Sequence, residues 1–140
     1  MLTRKDAQTI VENALIDASK VAGVSFYAHY SPNSGPGKRI YLMPTHKGKP
    51  SQRETFGGKR HLVVDYEFDV GILVDVESDK VQAIEKAESD VDAILTIVIE
   101  KLLERSEISI GEEEFYVGKA EINRSAAAAN INVKVRDIYA

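Results

Sequence analysis

VVDYEFDVGILVDV, residues 63–76, decides how this chain folds. Val64, Tyr66, Phe68, Val70, Ile72, Val74 and Val76 alternate with Asp65, Glu67, Asp69, Gly71, Leu73 and Asp75. Successive side chains of a strand point to opposite faces, so this period predicts one strand over Leu62–Val76 with an apolar face buried and an acidic face wet. At about 3.3 Å per residue it would span roughly 40 Å, longer than a usual strand. Gly71 is the position where a bulge or bend is expected.

The flanking segments read as helices and shorter strands. Before the long strand, Ala7, Ile10, Val11, Ala14, Leu15 and Ala18 fall at helical spacing, which predicts a first helix from an N-cap at Thr3 to about Lys20. Asp6 stands at the capping-box position and Gly23 is a stop signal. VSFYAHY (24–30) and RIYLM (39–43) predict two strands around the turn SPNSGPG (31–37), with Pro44 ending the second. THKGKPSQRETFGGKR (45–60) has no apolar period and reads as a basic loop insertion.

After the strand, Ser78 is the expected N-cap of a long helix to about Arg105. Val81, Ile84, Ala87, Val91, Ile94, Leu95, Val98 and Leu102 form its stripe. EEEFYVGKAEINR (112–124) and NINVKVRDIY (130–139) predict a final pair of strands. Ile108–Ile110 is a short strand or connector. RSAAAAN (124–130) reads as a turn leading into a small-residue strand start, where another surface approaches closely. The expectation is one α+β domain over residues 1–140, of order α-β-β-β-α-β-β. Its sheet is mostly antiparallel, with two helices packed on one face.

Composition excludes several classes of function. The 140 residues suit one domain with a real core. The absence of cysteine removes disulfides, thiolate nucleophiles and cysteine-based zinc sites. No apolar run approaches the roughly 20 residues a membrane helix needs, and the first twenty residues lack a signal-peptide pattern. The reading is a cytoplasmic product without membrane contact.

Charge is sorted along the chain. Residues 38–61 hold seven bases against one acid, a balance of +6, and residues 62–121 hold seventeen acids against five bases, a balance of −12. Contact between unlike surfaces, including those of two copies, would use such polarity. Chance sorting onto a loop and a solvated face explains it about equally well.

Catalytic patterns are missing. His29, His46 and His61 lack metal-ligand spacing. Asp65, Glu67, Asp69 and Asp75 resemble the carboxylate set of a magnesium nuclease only in number; a solvated strand face, or one facing a neighbour's bases, is the more economical reading. NSGPGK (33–38) and GGKR (57–60) lack phosphate-loop spacing, and no serine lies in a nucleophile elbow. No catalytic residue, metal ligand or cofactor is expected. The basic segment, with Lys47, Lys49, Arg53, Lys59 and Arg60, suits phosphate backbone or an acidic protein surface; Phe56 alone is too little aromatic surface for base stacking.

The long strand VVDYEFDVGILVDV, the helix after it and the closing strand NINVKVRDIY, taken with the first helix and the short early strands, resemble the tail terminator proteins of long-tailed bacteriophages. The likeness covers nearly the whole chain in element order and size, and no short motif carries it. The basic segment 45–60 does not map onto the family pattern. The resemblance implies a non-enzymatic homo-oligomer, a hexameric ring at the head-proximal end of the virion tail. Such a ring caps the tail tube, stops its polymerisation and meets a head-completion or connector protein. In that setting Lys47, Lys49, Arg53, Lys59 and Arg60 of one subunit would meet Asp65, Glu67 and Asp69 of the next, or else face a lumen through which DNA passes without specific binding. Another neck or tail-completion ring protein, a small metal-dependent nuclease and a nucleic-acid-binding module are the competing readings.

Overall fold

A computed structural model describes residues 3–28, 37–54, 60–76, 80–121 and 124–139; for 44–54, 60–63, 112–121, 124–125 and 137–139 it describes the backbone path. The order is α1 (Arg4–Ala22), β1 (Ser25–Tyr27), β2 (Lys38–Glu54), β3 (Arg60–Asp75), α2 (Val81–Leu103), β4 (Ile108–Glu121) and β5 (Arg124–Tyr139). The strands form one sheet in the order β1-β2-β3-β5-β4. All neighbours pair antiparallel except β1 with β2, so the sheet is mixed.

Local chemistry sets the ends of α1. Thr3 Oγ1 accepts from the Asp6 N–H at 3.1 Å, and the Thr3 N–H donates to Asp6 Oδ2 at 3.0 Å. This reciprocal box satisfies donors that the first turn leaves open. At the other end Gly23 takes φ 69°, the left-handed conformation that glycine adopts without a Cβ clash. In α2 the N-cap is Lys80, whose side chain makes no capping hydrogen bond; the expected cap Ser78 lies outside the described residues. Val81, expected on the apolar stripe, is exposed.

Both helices lie on one face of the sheet. Ala7, Val11, Ala14, Leu15 and Ala18 of α1 and Ala87, Val91, Ile94, Val98 and Leu102 of α2 share a core with the inward faces of the strands. The strands contribute Ile40 and Leu42 from β2, Phe68, Val70, Ile72 and Val74 from β3, and Ala127, Ala129, Ile131, Val133 and Val135 from β5. Full burial of the valine, leucine, isoleucine and phenylalanine side chains among them stabilises by roughly 1.5–3 kcal/mol each, before the entropy of ordering them is counted. A smaller apolar cluster of Tyr41, Leu73, Ala126 and Ala128, with Tyr27 against it, occupies the opposite face.

Four local expectations are corrected. Over 45–54 the basic stretch is strand and not loop: β2 continues to Glu54 and pairs with β3 from Arg60 onward, and 55–59 lie outside the described residues. The long β3 supplies a ladder for this polar segment, which it could not hold from its own pattern. Pro44 does not end the strand. The pairing shifts between Pro44 and Gly48, and the extra residues absorb the break. Gly71 makes no bulge, since it keeps register with Tyr41 and Asn130 on its two sides. Finally, β1 and β2 do not form a hairpin but run parallel, with Ser25 beside Arg39. Residues 28–37 between them are too many to force the reversal that a two-residue turn imposes.

The alanines 126–129 lie within β5, flat against both faces. All four are buried. Ala127 and Ala129 sit in the helix-side core, Ala126 and Ala128 in the smaller cluster. Ile108–Ile110 is the start of β4.

Candidate assembly interface

The acidic face of β3 is matched across the sheet by β5. Register places Asp65 opposite Arg136, Glu67 opposite Lys134 and Asp69 opposite Asn132. Arg136 donates from Nε to Asp65 Oδ1 at 2.7 Å and from Nη2 to Asp65 Oδ2 at 3.0 Å. This fork holds the guanidinium charged: the hydrogen bond to Asp65, and then the Asp65 charge, raise the Arg136 pKa further above its ordinary range. Lys134 Nζ stands 3.4 Å from Glu67 Oε1, and Asn132 Nδ2 donates to Asp69 Oδ1 at 3.4 Å. Three carboxylates that look reactive in one dimension therefore have cationic or amide partners in their own chain.

The fourth, Asp75, serves the start of β2. Arg39 Nη2 reaches Asp75 Oδ1 at 2.7 Å, and the Gly37 N–H donates to Asp75 Oδ2 at 2.8 Å. Arg39 is 1% exposed, and its guanidinium carbon lies 6.0 Å from the centre of the Tyr41 ring. Tyr41 stacks on Tyr27 at 5.6 Å, which fastens the short β1 to β2. On the helix side of the same end, Lys38 Nζ lies 3.3 Å from Asp90 Oδ2 of α2. A cavity of about 330 Å³ opens there, lined by Gly37, Lys38, Val74, Asp75, Lys86 and Asp90 among others.

Of the basic residues singled out in the sequence, Lys49 lies on β2 as the register partner of Asp65, and Arg53 as the partner of His61. Lys47 falls in the register shift between Pro44 and Gly48, Arg60 begins β3 opposite Glu54, and Lys59 lies outside the described residues. His29 is also outside them, and His46 and His61 are placed by backbone alone. Among the described residues no three histidine, aspartate or glutamate side chains converge as a metal-binding set. Sequence reading did not identify Arg39, Lys134 and Arg136 as partners. The alternation Asn132, Lys134, Arg136 in the last strand was the available signal, but it acquires meaning only once register sets it against Asp69, Glu67 and Asp65.

Among the described residues, β2 past Tyr41 and β4 each pair with a strand on one side only. Among the described residues β1 covers β2 only as far as Tyr41, so no strand pairs with the outer side of β2 from Leu42 to Glu54. β4 is the other margin of the sheet, paired on one side with β5. An edge strand can in general serve as a template for pairing with another chain.

No protein-family model matches the sequence, and comparison with curated proteins gives no match either. The fold places the chain among α+β proteins with a two-helix layer on a five-stranded mixed sheet.

Proposed function

We propose that this chain is a structural subunit of a tailed-phage tail, a tail terminator that assembles as a ring and acts through surfaces rather than chemistry. The observation that carries the reading is the element order α-β-β-β-α-β-β with both helices on one face, the order on which the family resemblance rests. The pairing of Asp65, Glu67 and Asp69 with β5 supports it from a second side, because carboxylates already engaged by Arg136, Lys134 and Asn132 are poorly placed to act as a metal cradle. Among the described residues the sheet ends on β2 past Tyr41 and on β4, margins through which such a subunit would contact further copies.

In this reading six copies close a ring on the last layer of the tail tube and stop its growth. The opposite axial surface receives a head-completion or connector protein, and DNA passes through the lumen without specific recognition. The protein would reside at the head-proximal end of the virion tail after synthesis in the host cytoplasm. Electron microscopy of the protein mixed with tail tubes tests the proposal. Rings of about six copies at tube ends, with tube growth arrested, are expected. Tubes that keep growing with bare ends would sink it, whereas rings bound only to head connectors would move the chain to another neck position.

Two other classes make different predictions. A small metal-dependent nuclease would nick plasmid with magnesium and lose that activity on replacing Asp65 and Asp69. A nucleic-acid-binding module would bind DNA as a monomer, with an affinity falling steeply with salt.

A further inference from the structure

Alanines make room between the start of β2 and the first half of α2. Ala83 and Ala87 stand one turn apart on α2 and both line the cavity there, so α2 brings only methyl groups where a longer side chain would take up the space. The cavity, of about 330 Å³, has an apolar wall of Val74, Ala83 and Ala87. Val74 and Ala87 belong to the helix-side core, 4% and 3% exposed. The charged rim consists of Lys38 and Asp75 from the strands and Lys86 and Asp90 from α2. Such a volume lies at the small end of ligand pockets, which are usually built from apolar walls and a few placed polar groups.

The rim charges narrow the class of occupant. Asp75 already accepts from Arg39 Nη2 at 2.7 Å and from the Gly37 N–H at 2.8 Å. Asp90 Oδ2 lies 3.3 Å from Lys38 Nζ, a tie that joins β2 to α2 beside the cavity. Each acid therefore has its own cation. Lys86 has no ion pair among the described residues, so its ammonium is the surplus charge of the lining. A cationic ligand would meet that ammonium, and a neutral apolar one would leave it unmatched. A dianion would set its second charge against Asp75 and Asp90. A single negative charge on an apolar body fits all of these groups.

We propose that this cavity binds a small aliphatic monocarboxylate, with the carboxylate on the Lys86 ammonium and the hydrocarbon body against Val74, Ala83 and Ala87. The apolar body displaces water to which those walls offer no hydrogen bonds, and the carboxylate gains a charge-assisted partner. Lys86 is exposed, so it can turn to the ligand without giving up a core contact. Lys38 would add a second cation only by loosening its hold on Asp90, which makes Lys86 the principal contact. A free acid and the C-terminal carboxylate of a polypeptide ending in an aliphatic residue share this chemistry. The site uses residues of one chain alone and is independent of the ring reading.

Amide NMR titrations of the full chain test the site, with isocaproate as the probe. Isohexanol and isohexylamine have the same shape without the negative charge. Saturable shifts centred on Gly37, Lys38, Ala83, Lys86 and Ala87 are expected with isocaproate, with a dissociation constant on the order of 1 mM. The alcohol and the amine should bind at least about tenfold more weakly. Lys86→Glu should weaken isocaproate by about tenfold or more and strengthen the amine, and the rest of its spectrum should remain that of the folded protein. Ala83→Leu fills the cavity and should abolish binding. N-acetyl-leucine and its amide separate the two sources. Tighter binding of N-acetyl-leucine than of isocaproate, lost in the amide, assigns a polypeptide C-terminus; the reverse order assigns the free acid. The proposal is overturned by the absence of saturable shifts at these residues at tens of millimolar, by equal binding of acid and alcohol, or by unchanged binding in either variant.

Discussion

Arg136 on β5 grips Asp65 on β3 with both arms of its guanidinium, at 2.7 and 3.0 Å, across one register step of the sheet. The pair turns a face that is acidic in sequence into one that is locally neutral. It is partly open to water, with Arg136 43% and Asp65 26% exposed, so its contribution is modest despite the good geometry. Arg136→Ala is expected to destabilise by about 1 kcal/mol or less, and the loss should shrink at high salt. Urea titrations at low and high ionic strength check this. A salt-independent loss would mean that packing of the arginine stem dominates.

The ion pair at the other end of β3 behaves differently because it is buried. Arg39 and Asp75 have side chains 2% and 16% exposed. Asp75→Ala removes a charge partner from a guanidinium that is shut away from water, which costs about 3–5 kcal/mol. Arg39→Met leaves Asp75 near water and still accepting from Gly37, so it is expected to cost less than half of that. Equal losses from the two substitutions, measured by chemical denaturation, would contradict this asymmetry.

The alanine run of β5 is a packing constraint. Ala129 is 2% exposed within the helix-side core. Ala129→Leu adds volume where no side chain is free to retreat and should destabilise by about 1–3 kcal/mol. It raises local β propensity only weakly against that cost. Thermal melts check the sign: a higher melting temperature would reveal unfilled space beneath the helices.

The α1 cap is acid-sensitive. The Thr3 backbone N–H, and then the Thr3 hydroxyl, hold the Asp6 carboxyl below its ordinary value of 3.8. A depressed carboxylate stabilises the folded state fully above its unfolded pKa and loses that contribution as pH falls below 3.8 through the lower folded value. Asp6→Asn should therefore lower stability slightly at neutral pH, leave it nearly unchanged at pH below the folded pKa, and so flatten the acid limb of the stability profile. Thr3→Ala removes the other half of the box and is expected to cost about 1 kcal/mol at neutral pH.

Much of the architecture was legible because it is periodic. The alternation from Val64 to Val74, the stripe Ala7, Val11, Ala14 and Ala18, and the stripe Val91, Ile94, Val98 and Leu102 each state which face is buried without reference to any neighbour. Thr3, Asp6 and Gly23 name the ends of α1 for the same reason: capping is satisfied within one turn. The segment 45–54 was not legible, since its strand conformation comes from pairing with β3 and its own residues favour a turn. The candidate site was legible as two runs of charge only. Asp65 and Arg136 are seventy-one residues apart, and nothing local joins them.

Side-chain period and capping act within a few residues, so the sequence alone specifies α1, α2, β3 and the last half of β5 and the buried face of each. The parallel pairing of β1 with β2, the insertion of β5 between β3 and β4 and the pairing of Asp65, Glu67 and Asp69 with β5 emerge from the folded sheet, because they depend on register. It is fixed by the packing of whole faces, and a slip of one residue would send Arg136 to the helix side and Val135 to water.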